Sequence, residues 1–338
     1  MTTLIRAAAL TNYFEVAEHL GLNSQPLLQQ LHINRDRLAD PEQRLPLAAV
    51  VALLEASAAA SGCITFGLRM AESRQLSHFG AVSLLLAQQP TLRNALESVI
   101  QYRHLLNESL AMHLEEVGGT VVIREELVDD APLQSRQGIE LALGVLFRLG
   151  SALLGPHWRP ISVNFTHKAP PDPQVHRRVF RCNPRFGAEF NGFVCRTEDL
   201  DRPNPNADPA MARYARQFVE SLPGAQDRST VYEVRKAIYL LLPMGRATID
   251  QIAEGLGLNV RTLQRQLESA NVVFSDLVNE VRRELVVRYL ENPSYSLALI
   301  AELLGYSVPS SFTRWFGAQF GVTPQRFRAR DKQPLGRA

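Results

Sequence analysis

A stretch written twice constrains the fold of this chain more than any other feature. Ile252-Ala253-Glu254-Gly255-Leu256-Gly257 returns 48 positions later as Ile300-Ala301-Glu302-Leu303-Leu304-Gly305. A second pattern follows each copy, now 49 positions apart: Leu263-Gln264-Arg265-Gln266-Leu267 against Phe312-Thr313-Arg314-Trp315-Phe316. One extra residue in the second turn accounts for the shift. Each copy reads as a short amphipathic helix, a turn containing Gly, and a second helix. That is the layout of a helix-turn-helix, whose second helix enters a DNA major groove.

The packing set of the first unit is Ile252, Ala253, Leu256 and Leu263, matched by Ile300, Ala301, Leu304 and Phe312. Ala253 and Ala301 are expected to be small because the second helix crosses above them. Gly257 and Gly305 are expected to turn the chain through positive φ. The outward face of the first unit's second helix carries Arg261, Gln264 and Arg265. Arg pairs with both acceptors of guanine, and Gln with adenine. The matching face of the second unit carries Ser310, Ser311, Thr313 and Arg314, and its three hydroxyls read bases or phosphates without discrimination. The bland alternative is that these side chains merely solvate a helix; duplication in register argues against it. A connecting helix of about 16 residues, about 24 Å long, suits two recognition helices one DNA turn, about 34 Å, apart.

Local signals set the remaining limits of the helical end. Thr230 to Leu242 reads as a helix stopped by Pro243, and Thr248 caps the next. Ser275 is expected to cap the connecting helix Asp276 to Glu291, Ser296 to cap Leu297 to Leu304, and Pro309 to sit in a first turn. The segment Arg202-Pro203-Asn204-Pro205-Asn206-Ala207-Asp208-Pro209, and Pro223-Gly224 beyond it, interrupt regular structure. They divide the chain into residues 1–205, a linker over 206–229 that includes a short helix from Ala210 to Leu222, and residues 230–330.

The first of these domains reads as α+β. Helices are expected around Phe14 to Leu22, Leu47 to Leu54 and from Thr91, with Thr91 as N-cap. A hairpin joins Leu110-Ala111-Met112-His113-Leu114 to Val121-Val122-Ile123 around Gly118-Gly119. An apolar helix runs from about Ile139 to Leu154. Alternation of Ile161, Val163 and Phe165 with polar neighbours marks a strand. A helix near Val175 to Phe180 and a strand pair within Phe186 to Cys195 complete a mostly antiparallel sheet.

Charge is unevenly shared. The chain carries +2 overall, with +4 from residue 226 onward and −2 before it, which suits a DNA-binding end on another body. The absence of about 18 consecutive apolar residues predicts no membrane span. Cys63, Cys182 and Cys195 lack paired spacing, which points away from a disulfide framework or zinc cluster and towards a reducing cytoplasm. No nucleophile elbow, phosphate loop or paired metal-ligand spacing appears. No catalytic residue, metal or cofactor is therefore assigned. His167 and His176 as a metal pair, Tyr102-Arg103-His104 as a ligand lining, and Arg177, Arg178 and Arg181 as an anion site are minor alternatives to ordinary placement. Cys63 reads as a buried small hydrophobe.

From Thr248 through Arg328 the chain resembles the DNA-binding domain of AraC/XylS-type transcription regulators. The carriers are Ile252-Ala253, Leu256-Gly257, Leu263-Gln264-Arg265, Phe274, Ile300-Ala301, Gly305-Tyr306, Ser311-Phe312, Arg314, Phe316, Gly321-Val322-Thr323-Pro324 and Phe327-Arg328. The resemblance implies an all-α domain of two helix-turn-helix units joined by a central helix. It also implies DNA contact by the faces around Arg261, Gln264 and Arg265 and around Ser310, Ser311 and Arg314. Two departures stand out: Gly317-Ala318 where members often carry basic residues, and Asn271 where many have Gly. Residues 15 to 200 resemble the "arabinose-binding" type of regulatory domain, as in regulators of ornithine utilisation. That likeness is carried by His78-Phe79-Gly80, Phe180-Arg181-Cys182-Asn183-Pro184, Phe186-Gly187-Ala188 and Asn191. It implies sensing of a small-molecule effector, such as an amino acid or other metabolite, without implying a sugar. The expected partners are double-stranded DNA, the effector, RNA polymerase and a second copy of the chain, with activation or repression as the outcome. The rival readings are an enzyme fused to a DNA-binding module and an architectural DNA protein without effector control.

Overall fold

The computed structural model describes residues 3–129, 135–222 and 229–330. The chain divides into two compact units, Met1–Asp227 and Arg228–Ala338.

Unit 1 is α+β. A small antiparallel sheet pairs β1 (Leu4–Arg6) with β2 (Arg44–Pro46). The main sheet has five strands: β3 (Leu110–Val117), β4 (Thr120–Leu127), β5 (Ser162–Phe165), β6 (Pro184–Phe186) and β7 (Gly192–Arg196). Their spatial order is β3-β4-β7-β5-β6. All neighbours run antiparallel except β5 and β6. The expected pairing within Phe186 to Cys195 is therefore not made: β6 pairs with β5 and β7 lies between β4 and β5. The hairpin runs well past the apolar residues that announce it, and Gly118 and Gly119 close it with positive φ, 53° and 79°. Two such residues match the right-handed twist of the strands they join.

Six helices matter here: α1 (Leu47–Ser61), α2 (Phe66–Glu72), α3 (Leu92–Leu106), α4 (Arg136–Leu154), α5 (Gln174–Phe180) and α6 (Pro209–Ser221). Thr91 caps α3 by accepting from the Asn94 amide at 3.2 Å. Helix α4 is long and apolar enough to cross a membrane, but 67% of that stretch is buried inside the protein. It contributes to two apolar clusters. Leu143, Leu146, Phe147 and Leu149 join the sheet, α3 and α6, while Leu141 joins α1, α2 and the amino-terminal segments. Gly67 of α2 lies against the Gln137 carbonyl of α4, where a Cβ would collide. Helix α6 lies inside the stretch read as a linker, yet its Ala215 and Val219 are part of the core of unit 1.

The described residues of unit 2 form helices and no strand: α7 (Thr230–Leu241), α8 (Ile249–Gly255), α9 (Val260–Ser269), α10 (Phe274–Leu290), α11 (Leu297–Leu303), α12 (Pro309–Phe320) and α13 (Pro324–Arg330). Thr248, Asn259 and Ser296 cap α8, α9 and α11 with their side chains. Ser275 does not cap: α10 begins at Phe274, two residues before the expected Asp276, after an extended Val273. One core joins both halves through Ile252, Ala253, Leu263, Ile300, Ala301 and Phe312.

Candidate functional site

The two helix-turn-helix units are α8 with α9 and α11 with α12. Their turns differ in length as the offset demands: four residues separate α8 from α9, and five separate α11 from α12. Gly257 and Gly305 sit at φ +69° and +76°. Asn271, which ends the turn after α9, is at φ +55°, a conformation that Asn tolerates better than other side chains. Leu256 is only half-buried, whereas its counterpart Leu304 is fully buried.

Helix α9 buries Leu263 and Leu267 and turns Arg261, Gln264 and Arg265 to solvent. Among the described residues neither arginine is held by an ion pair. Their donors stand free on a helix whose other face is locked into the core. Helix α12 exposes Ser310, Thr313 and Arg314 and leaves Ser311 half-buried. Its polar face is partly engaged internally. Thr313 donates to the Pro309 carbonyl at 3.1 Å, and Arg314 reaches the Ser311 hydroxyl at 3.5 Å. The expected site residues thus form two separate faces, a cationic one and a mainly hydroxyl-bearing one.

The central helix α10 holds both. Its Glu280 and Glu284 take the buried Arg235 of α7, with Arg235 to Glu280 at 3.3 Å. Its Arg282 donates from Nε to the Leu304 carbonyl at 3.0 Å and lies over the Tyr306 ring at 4.5 Å. Asn279 accepts from the Trp315 indole at 3.2 Å. These contacts satisfy a carbonyl at the end of α11 and fix the base of α12.

Unit 1 holds a cavity of about 140 Å³. It lies where the unit's two apolar clusters meet: Leu47, Val50 and Val51 belong to one, and Val99, Met112 and Leu146 to the other. His78 and Phe79, two of the residues that carry the regulatory-domain likeness, are in its wall. Tyr102, Arg103 and His104 are not; Tyr102 instead donates to Glu220 at 3.1 Å. One wall residue escaped the sequence reading. Glu125 extends β4 on the same face as Val121 and Ile123, and strict alternation along 121–127 would have placed it in the core.

The other titratable cluster is structural. His176 donates from Nε2 to Glu140 at 3.0 Å, His167 Nε2 lies 3.3 Å from the same oxygen, and Arg136 Nε lies at 3.1 Å. Burial would raise the Glu140 carboxyl, but hydrogen bonding and charge from His167 and His176 hold it at about 2. Asn191 ties the sheet end together: it accepts from the Thr166 amide at 2.8 Å and donates to Glu126 at 3.0 Å. Arg177 and Arg181 line a separate cleft but are exposed. Arg178 instead bonds Glu72. Cys63 is half-buried rather than buried, and burial raises the Cys182 thiol to about 11.

Residues 21–204 match the family described as the arabinose-binding domain of AraC transcription regulator, N-term, and residues 232–330 match a helix-turn-helix domain. The chain is 31% identical over 329 residues to the HTH-type transcriptional regulator VirS of Mycobacterium tuberculosis (strain ATCC 25618 / H37Rv), covering 97% of each. It is 25% identical over 317 residues to the ornithine utilization regulator of Pseudomonas aeruginosa, covering 93% of this chain and 92% of that one. A crystal structure of the transcriptional regulator CdpR from Pseudomonas aeruginosa aligns over 93% of this chain and 98% of its own, with 21% identity and a TM-score of 0.46.

Proposed function

We propose, since the chain belongs to the AraC family of transcription regulators, that it reads a two-part operator through α9 and α12. In this reading a small molecule held in unit 1 controls the binding. The observation that carries the reading is the exposed, unpaired Arg261-Gln264-Arg265 face of α9, set on one of two duplicated units. Arg265 and Gln264 supply direct base contacts in the major groove, and Arg261 supports them. Ser310, Ser311, Thr313 and Arg314 contact the second groove, with more weight on phosphate than on bases.

An effector acts by favouring arrangements of the protein that grip DNA. The apolar cavity in unit 1 supports that role, since ligand sites are mostly apolar concavities with few polar groups. The proposal extends to a cytoplasmic homodimer that meets RNA polymerase at its promoters. It assigns the chain no catalytic step. A regulated promoter read in cells with and without the effector separates activation from repression.

Footprinting with Arg265→Ala tests the assignment of α9. The variant is expected to lose about 1–3 kcal/mol of discrimination at one base pair, with its thermal unfolding unchanged. An unaltered base preference would remove Arg265 from the reading face.

A further inference from the structure

The cavity in unit 1 has the size of an engineered core cavity that stays dry and accepts benzene, about 150 Å³. It exists where two independently packed apolar clusters abut and neither fills the gap. Into this wall β4 presents Glu125, opposite Met112 of β3, which also faces the cavity. Glu125 is 3% exposed. Among the described residues nothing donates a hydrogen bond to its carboxyl, and Oε2 is buried without a partner. A buried polar group left in this state costs free energy that a ligand can recover.

The other ionisable groups of the wall hold hydrogen bonds of their own, none of them to Glu125. Arg6 of β1 pairs with Glu42. Arg74 donates from each Nη, to the carbonyls of Ala8 and Ala9, and its Nε–H is buried without a partner. His78 accepts from the Gln75 amide through Nδ1. Glu126 is the next residue along β4 and is held by Asn191. Among the described residues no cation pairs with Glu125. Burial, reinforced by the like charge of Glu126, raises its carboxyl to about 8. An acid in this position repels an anion, offers a neutral ligand one hydrogen bond, and gives an ammonium an ion pair in a low-dielectric site.

We infer, resting on the reading of unit 1 as an effector sensor, that the cavity binds a small aliphatic amine whose ammonium pairs with Glu125 while its hydrocarbon chain lies against Val50, Val51, Val99 and Leu146. A chain of about six carbons fills the space. Pairing requires the ionised carboxylate. Below pH 8 the Glu125 O–H bond therefore breaks on binding, its electron pair stays on the carboxylate, and the proton passes to the buffer.

The test uses the full chain and calorimetric titration with n-hexylamine, 1-hexanol and hexanoate, in buffers of different ionisation enthalpy. Hexylamine is expected to bind one per chain, at least tenfold more tightly than hexanol, with hexanoate not detected. About one proton should be released per hexylamine at pH 6.5, and few at pH 9. Glu125→Gln keeps the shape of the wall and is expected to lose at least tenfold in hexylamine affinity while hexanol affinity changes little. Ala142→Phe, which fills the cavity, should abolish both, and thermal unfolding reports whether each variant folds. Equal or tighter binding of hexanol or hexanoate, no binding by any of the three, or unchanged hexylamine affinity in Glu125→Gln overturns the amine assignment. The sensor reading fails on a different result: no compound in a broad metabolite screen stabilises the protein or alters its affinity for operator DNA.

Discussion

Two buried carboxyls in unit 1 show how the same residue type is treated in opposite ways. Glu140 collects Arg136, His167 and His176 around one oxygen, Oε1, and is held at about 2. Its folded value lies below its ordinary one, so its contribution to stability is fully present above about pH 4.5 and is lost as pH falls towards 2. Among the described residues Glu125 has no partner, and burial raises it to about 8. For a raised value the sign reverses: the folded state keeps its advantage below about pH 4.5 and loses it as pH climbs through 8. Glu125→Gln is therefore expected to unfold several degrees higher than the parent at pH 8 and at a similar temperature at pH 4. Glu140→Gln is expected to lower the unfolding temperature at pH 7 and to flatten its fall between pH 4.5 and 2. Scanning calorimetry across pH 2 to 9 measures both, and parallel curves for parent and variant would refute either statement. Neither environment was legible in sequence. Beyond Ile123 the run Arg124-Glu125-Glu126 has the composition of a solvated segment, and Glu140 meets His167 and His176 only after the chain has crossed the sheet.

At the scale of elements, the helix-turn-helix units were legible because their signals are local. Caps at Thr248, Asn259 and Ser296, Pro309 in a first turn and glycines at two equivalent turns all act within a few residues. Ser275 misled for the same reason. A capping side chain was present, but the apolar Phe274 gains more by entering the helix and packing against the core. Strand partners obeyed no local signal: β6 sits beside β5 because α5 carries the chain across in between. The duplicated turns support a graded prediction. An alanine at Gly257 has open space and pays only for its left-handed backbone, about 1 kcal/mol. At Gly305 the new Cβ also meets Leu242 at 3.2 Å. Gly305→Ala is thus expected to destabilise the DNA-binding unit more than Gly257→Ala in urea unfolding. The reverse order would mean that the second turn yields more easily than its packing indicates. Asn271→Gly should stabilise by a few tenths of a kcal/mol, about what a left-handed Asn costs relative to Gly.

For the molecule as a whole, control and DNA binding are linked thermodynamically. If an effector changes operator affinity by a given factor, the operator changes effector affinity by the same factor, about 5- to 150-fold in typical systems. Titrating labelled operator with and without ligand, and ligand with and without operator, should return equal ratios; unequal ones would show that unit 1 binds the compound in a role unrelated to DNA. The basic surplus from residue 226 onward also predicts that operator binding weakens steeply with salt, since phosphate contacts release counterions. The two faces described on α9 and α12 then leave a mark outside the protein. Promoters under its command, aligned together, should show one strictly spelled block of bases and a neighbouring block whose letters drift, with the stack of arginine and glutamine over the strict one.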